Sequence, residues 1–154
     1  MALSVKPAAL RATGNSWLAN STERPDLAQR IWAAGLPIPL MSGSRWLVAE
    51  SRLSRGWPAA SRIREEQRGP IVADPDGDRL WWLVPTDAEV ELEDVRSLRV
   101  HPAGWVLHCP PVGEELKGLF WLVAPDGTGR LNDPVVVAAA FGPGGRRLPT
   151  EAPA

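Results

Sequence analysis

The stretch 70-PIVADPDGDRLWWLVP-85 decides the fold. Two apolar runs, 70-PIVAD-74 and 79-RLWWLVP-85, flank the turn 75-PDGD-78. An Asp-Gly between such runs reads as a β-hairpin. The same residues imitate the start of a calcium loop, because Asp74, Asp76 and Asp78 alternate. Such a loop needs a glycine at its sixth place and a bidentate Glu at its twelfth. Those places hold Arg79 and Pro85, and Gly77 stands two residues early. The aspartates therefore read as turn residues, and no metal site is expected. Trp81 and Trp82 are adjacent, so a strand must send them to opposite faces. One enters a core. The other lies against a helix or stands out as a platform for bases or a protein partner.

Around the hairpin the chain predicts short elements. A helix is expected in 21-STERPDLAQRIWAAG-35, capped by Ser21 or Thr22, with Pro25 in its first turn and Gly35 beyond its end. Leu27, Ala28, Ile31, Trp32 and Ala34 would form its apolar face. Pro37 and Pro39 limit 36-LPIPLMSG-43 to a short or edge strand, whereas 45-RWLVAE-50 reads as a buried one. A second helix is expected in 57-WPAASRIREEQRG-69. The acidic run 86-TDAEVELEDV-95 precedes β runs at 97-SLRV-100, 104-GWVLHCP-110 and 118-GLFWLVAP-125. Asp133 and Pro134 open a last helix, 133-DPVVVAAAF-141.

Helices early and late with strands between predict an α+β fold, with a mixed or antiparallel sheet and two or three helices. The expected organisation is a flexible N-terminus over 1–16, one domain over 17–141 and a disordered tail over 142–154. The chain of 154 residues is long enough for a proper core, and 44% hydrophobic with 23% charged residues is ordinary for a soluble domain. Its net charge of −1 gives no overall field toward nucleic acid or anionic lipid, so any such contact must be a local patch. One cysteine, Cys109, allows no disulfide within the chain. No signal-peptide core and no membrane-length apolar run is visible, so a cytoplasmic address without membrane contact is expected.

No phosphate-binding loop, dinucleotide fingerprint or hydrolase elbow is present. His101, His108 and Cys109 have no recognised zinc spacing, and in a strand Cys109 alternates away from His108. Six arginines (Arg45, Arg52, Arg55, Arg62, Arg64, Arg68) against three glutamates in 45–68 can make a phosphate-contacting helix or an exposed, ion-paired one.

Taken in order, 20-NSTERPDLAQRIW-32, 36-LPIPLMSG-43, 45-RWLVAES-51, 71-IVADPDGDRLWWLV-84, 98-LRVHPAGWVLHCPP-111 and 121-WLVAP-125 resemble blocks of one family. It is the bifunctional DNA primase/polymerase N-terminal (prim-pol) domains of the archaeo-eukaryotic primases, in a short version of the actinobacterial, Streptomyces type. The resemblance runs from Trp17 to Pro125 and implies a truncated prim-pol-like core. In that family the strand resembling 45–51 carries two metal-binding aspartates, the hairpin carries a histidine that contacts the nucleotide, and a later strand carries a third acid. At the matching positions stand Val48, Ala49 and Glu50, then Leu80, then Arg99. Nucleotidyl transfer by two metals needs several carboxylates on the same ions, and Glu50 is the only acid at the expected place. The family's N-terminal strand has no counterpart either.

The resemblance thus implies a catalytically inactive domain with no cofactor. Arg45, Arg79 and Arg99 fall near the lost site and are the candidate contacts to a nucleotide or nucleic acid. Two alternatives remain open: a protein–protein module with no nucleic-acid role, and an active primase or polymerase with non-standard metal ligands.

Overall fold

The computed structural model describes residues 8–142. The expected disordered tail from 143 onward and the first seven residues of the expected flexible N-terminus lie outside the described residues. The described part is α+β and its sheets are antiparallel. It contains five α-helices, more than the two or three expected: α1 (Ala8–Ala19), α2 (Pro25–Ala33), α3 (Leu53–Arg62), α4 (Glu89–Leu92) and α5 (Pro134–Phe141). The strands are β1 (Ile38–Met41), β2 (Leu47–Ser51), β3 (Ile71–Asp74), β4 (Arg79–Val84), β5 (Arg99–Val100), β6 (Val106–Cys109) and β7 (Phe120–Val123). Five of them form a sheet in the order β5-β2-β4-β3-β7, and β1 pairs with β6 in a separate ribbon.

The expected hairpin is β3–β4, with Asp74 opposite Arg79 across the four-residue turn. The left-handed residue of that turn is Asp78, at φ 52°, a conformation that Asp tolerates better than most side chains. Asp78 also works across the fold. Its Oδ1 accepts the Ser54 N–H at 3.0 Å and its backbone carbonyl accepts the Leu53 N–H at 3.1 Å. These bonds occupy donors that α3 leaves unpaired at its N-terminus, where Arg52 supplies no side-chain cap. The helix therefore starts at Leu53 and not at Trp57, and Pro58 lies inside it. It stops at Arg62, where buried Ile63 turns extended and its carbonyl takes the Arg68 Nε–H.

A second departure from expectation is α1, which covers most of the segment read as loose. Gly14 looked like an interruption, but its missing side chain admits the Pro125 carbonyl oxygen. A Cβ there would sit 2.4 Å from that oxygen. Ser21 and Thr22, read as caps of the next helix, close this one instead. Their hydroxyls donate to the Trp17 and Ala19 carbonyls. Helix α2 then begins at Pro25 and buries Ala28 and Trp32, leaving Leu27 exposed.

Period-two alternation divides the five-stranded sheet between two cores. One face sends Leu47, Ala49, Ile71, Ala73, Leu80, Trp82 and Val84 against α3, α4 and α5. Trp82 is fully buried there and donates its indole N–H to Ser51 Oγ at 3.0 Å. The other face sends Val48, Val72, Leu83 and Trp121 against α1, α2 and the β1–β6 ribbon. Asn132 ties the β3–β4 pair to the start of α5. Its Nδ2 donates to the Pro70 and Leu83 carbonyls and its Oδ1 accepts the Gly69 N–H, so this buried amide is well supplied with partners.

Candidate functional site

The second sheet face is apolar at β3 and β7 and polar at β5. The register lines up Arg99, Glu50, Trp81, Val72 and Trp121 as successive cross-strand partners. Directly opposed residues share a face. Val72 and Trp121 are buried, Trp81 and Glu50 are half-buried, and Arg99 is exposed. The row runs from core to open rim, and Glu50 sits at the boundary.

Both carboxylate oxygens of Glu50 are engaged. Oε1 accepts the Trp81 indole N–H at 2.9 Å and lies 3.1 Å from His101 Nε2. Oε2 lies 3.4 Å from Arg79 Nε. Burial pushes the Glu50 carboxyl toward a higher pKa. The hydrogen bonds from Trp81 and His101, with the electrostatic attraction of the nearby imidazole and of the Arg79 guanidinium, outweigh it and hold the group below its ordinary value. Glu50 is thus a carboxylate kept ionised by its neighbours.

His101 reaches Glu50 because the chain leaves β5 still paired to β2, with its N–H bonded to the Val48 carbonyl at 2.9 Å. The tight turn at Pro102–Gly104 returns Trp105 over it. The two rings stack at 4.1 Å between centroids and 4° between planes. Trp105 also lies 6.4 Å from the Trp81 ring in a tilted contact. Two half-buried indoles and an imidazole therefore surround one ion pair, with Arg79 and Arg99 at the rim.

Of the candidate contacts, Arg79 pairs with Glu50, Arg99 is its cross-strand partner on β5, and Arg45 is neither. Arg45 is exposed in the connection before β2, whereas Glu50 lies three residues past the first residue of that strand, roughly 10 Å further on. The resemblance placed Leu80 where a nucleotide-contacting histidine belongs, but Leu80 points into the opposite core. Sequence reasoning left His101 and Trp105 unconnected to Glu50. The signal was period two: Arg99 and His101 must share a face, but only the β2–β5 pairing brings that face to Glu50.

Among the described residues no three His, Cys, Asp or Glu side chains converge as a metal ion would require. Asp78 is spent on α3, and Asp74 packs over Gly77, whose Cβ would meet Oδ2 at 2.5 Å. His108 is exposed on the ribbon, while Cys109 is buried on the opposite side of the strand, where desolvation pushes its thiol far above the usual range. Neither approaches Glu50 through a contact. Among the described residues no helix is long and apolar enough to cross a membrane.

The comparisons add no relative: no protein-family model, curated protein or solved structure matches this chain.

Proposed function

We propose that this protein is a non-catalytic binding domain that takes a nucleotide or single-stranded nucleic acid on the open rim of its five-stranded sheet. The observation that carries this reading is the commitment of both Glu50 oxygens to Trp81, His101 and Arg79. A carboxylate so engaged is a poor ligand for the pair of ions that nucleotidyl transfer requires. The same arrangement leaves an aromatic and cationic rim. Indole faces accept bases by stacking, and guanidinium groups such as that of exposed Arg99 pair with phosphate. A fluorescence-anisotropy titration at low salt, with a labelled single-stranded oligonucleotide and with a nucleoside triphosphate, tests it. Binding of either supports the reading; affinity for neither overturns it. Template-dependent product in a primer-extension assay with Mg²⁺ or Mn²⁺ would overturn the non-catalytic part.

A second reading, a protein–protein module, is favoured by one surface. The outward side of the β1–β6 ribbon pairs Met41 with Val106, and Met41 is 70% exposed. Contiguous exposed apolar side chains are a feature of interaction sites. Retained mobility of the isolated chain on sedimentation, together with nucleic-acid binding, would leave the first reading standing alone.

A further inference from the structure

Away from the Glu50 rim, α1, α2 and the chain after β6 enclose an open cleft of about 580 Å³. Its size falls within the roughly 300–1,000 Å³ of small-molecule sites. Buried Trp32 and Val112 line it, and both have their polar groups spent on structure. The Trp32 indole N–H donates to the Cys109 carbonyl at 3.0 Å, and the Val112 N–H donates to Asn15 Oδ1 at 2.7 Å. The remaining lining side chains are differently disposed. Among the described residues, no hydrogen bond or ion pair engages the Arg11 guanidinium, the Gln29 amide or the Glu114 carboxylate.

Arg11 is nonetheless placed. Its stem lies over Gly113, where a Cβ would meet Arg11 Cδ at 2.7 Å. Gly113 adopts φ +83°, so the chain turns there in a way that favours glycine, and Glu114 follows directly. A cation and a carboxylate thus face one cleft without pairing to each other, with amide groups of Asn15 and Gln29 beside them. An anion alone would be drawn by Arg11 and repelled by Glu114, and a cation alone the reverse. The complementary ligand carries both charges.

We infer that this cleft binds a small zwitterion with a carboxylate for Arg11 and an ammonium group for Glu114, the chemistry of a free amino acid or of a very short peptide. The reading is independent of the Glu50 rim and stands or falls apart from it. The test is a ¹H–¹⁵N NMR titration of the full chain, reading the Val112 amide and the Trp32 indole N–H. The probes are L-alanine, L-alanyl-L-alanine, N-acetyl-L-alanine and L-alaninamide. At about 10 mM, enough to near saturation for a Kd of ~1 mM, alanine or the dipeptide is expected to shift both resonances. Tighter binding of alanine identifies a free amino acid, and tighter binding of the dipeptide a peptide. The acetylated and amidated probes should bind about tenfold more weakly. Arg11→Gln should weaken the zwitterions by a similar factor, and Glu114→Gln should remove the preference over N-acetyl-L-alanine. Both variants alter side chains at the cleft surface, and an unchanged spectrum elsewhere certifies their fold. No shift with alanine or the dipeptide overturns the proposal. Equal binding of N-acetyl-L-alanine by the unaltered protein overturns it too, since the site would then be one for simple anions.

Discussion

Glu50 and His101 meet at the rim of the sheet, with Nε2 3.1 Å from Oε1 and Trp105 stacked on the imidazole. The bond joins two strands through their side chains, because Glu50 belongs to β2 and His101 follows β5. It also fixes the indole faces on which the proposed binding depends.

The first expectation concerns pH. The Glu50 carboxyl titrates lower in the folded chain than its ordinary value of 4.5. Its contribution to stability is therefore present above that value and is lost as pH falls through the folded-state value. Denaturant midpoints measured from pH 6 downward should fall in the acid range, and Glu50→Gln should flatten that part of the profile. An identical acid limb in both proteins would contradict the assignment.

Asp78→Ala removes the acceptor that holds the first turn of α3. Loss of a cap costs about 0.5–2 kcal/mol, and urea unfolding should show a loss of that size. Asp78→Asn keeps an oxygen acceptor and a side chain tolerant of positive φ, so it should lose less.

Gly14→Ala would stabilise an exposed helix interior by about 1 kcal/mol. Here the new Cβ would lie 2.4 Å from the Pro125 carbonyl oxygen and 3.0 Å from a Val112 methyl. The sign should reverse, with a loss of about 1–3 kcal/mol from overpacking, read as a lower unfolding midpoint.

Asn132→Leu keeps the branched outline with a bulkier side chain and removes three hydrogen bonds to buried backbone groups. Only the Gly69 N–H is orphaned, at a cost of about 1–3 kcal/mol, because the Pro70 and Leu83 carbonyls keep the backbone N–H groups of Leu83 and Asn132. Overpacking by the larger side chain adds about 1–3 kcal/mol, so chemical denaturation should show the largest destabilisation of these five substitutions.

How far the sequence carries these conclusions differs by element. The β3–β4 hairpin and α5 were legible because local chemistry decides them: Pro-Asp-Gly-Asp between apolar runs, and Asp133 whose Oδ1 caps the Val135 N–H. Helix α1 was not legible, since Gly14 acts through a chain segment more than a hundred residues away. The start of α3 was equally hidden, because its cap comes from Asp78 in the hairpin. The site shows the same division. Alternation sets Trp81 and Trp82 on opposite faces, but the row from Arg99 through Glu50 to Trp81 exists only once β5, β2 and β4 are in register. Arg45 looked close to Glu50 in sequence and lies at the other end of the strand.

The most direct test of the binding rim follows the eight indole N–H resonances during titration with a single-stranded oligonucleotide at low salt. Trp81 and Trp105 should shift, while Trp82 and Trp32, locked to Ser51 and Cys109, should hold still. Arg99→Ala should weaken binding and reduce the dependence of log affinity on log salt by about 0.7, the share of one phosphate contact on a single strand. Unmoved Trp81 and Trp105 resonances at saturating oligonucleotide would contradict the account.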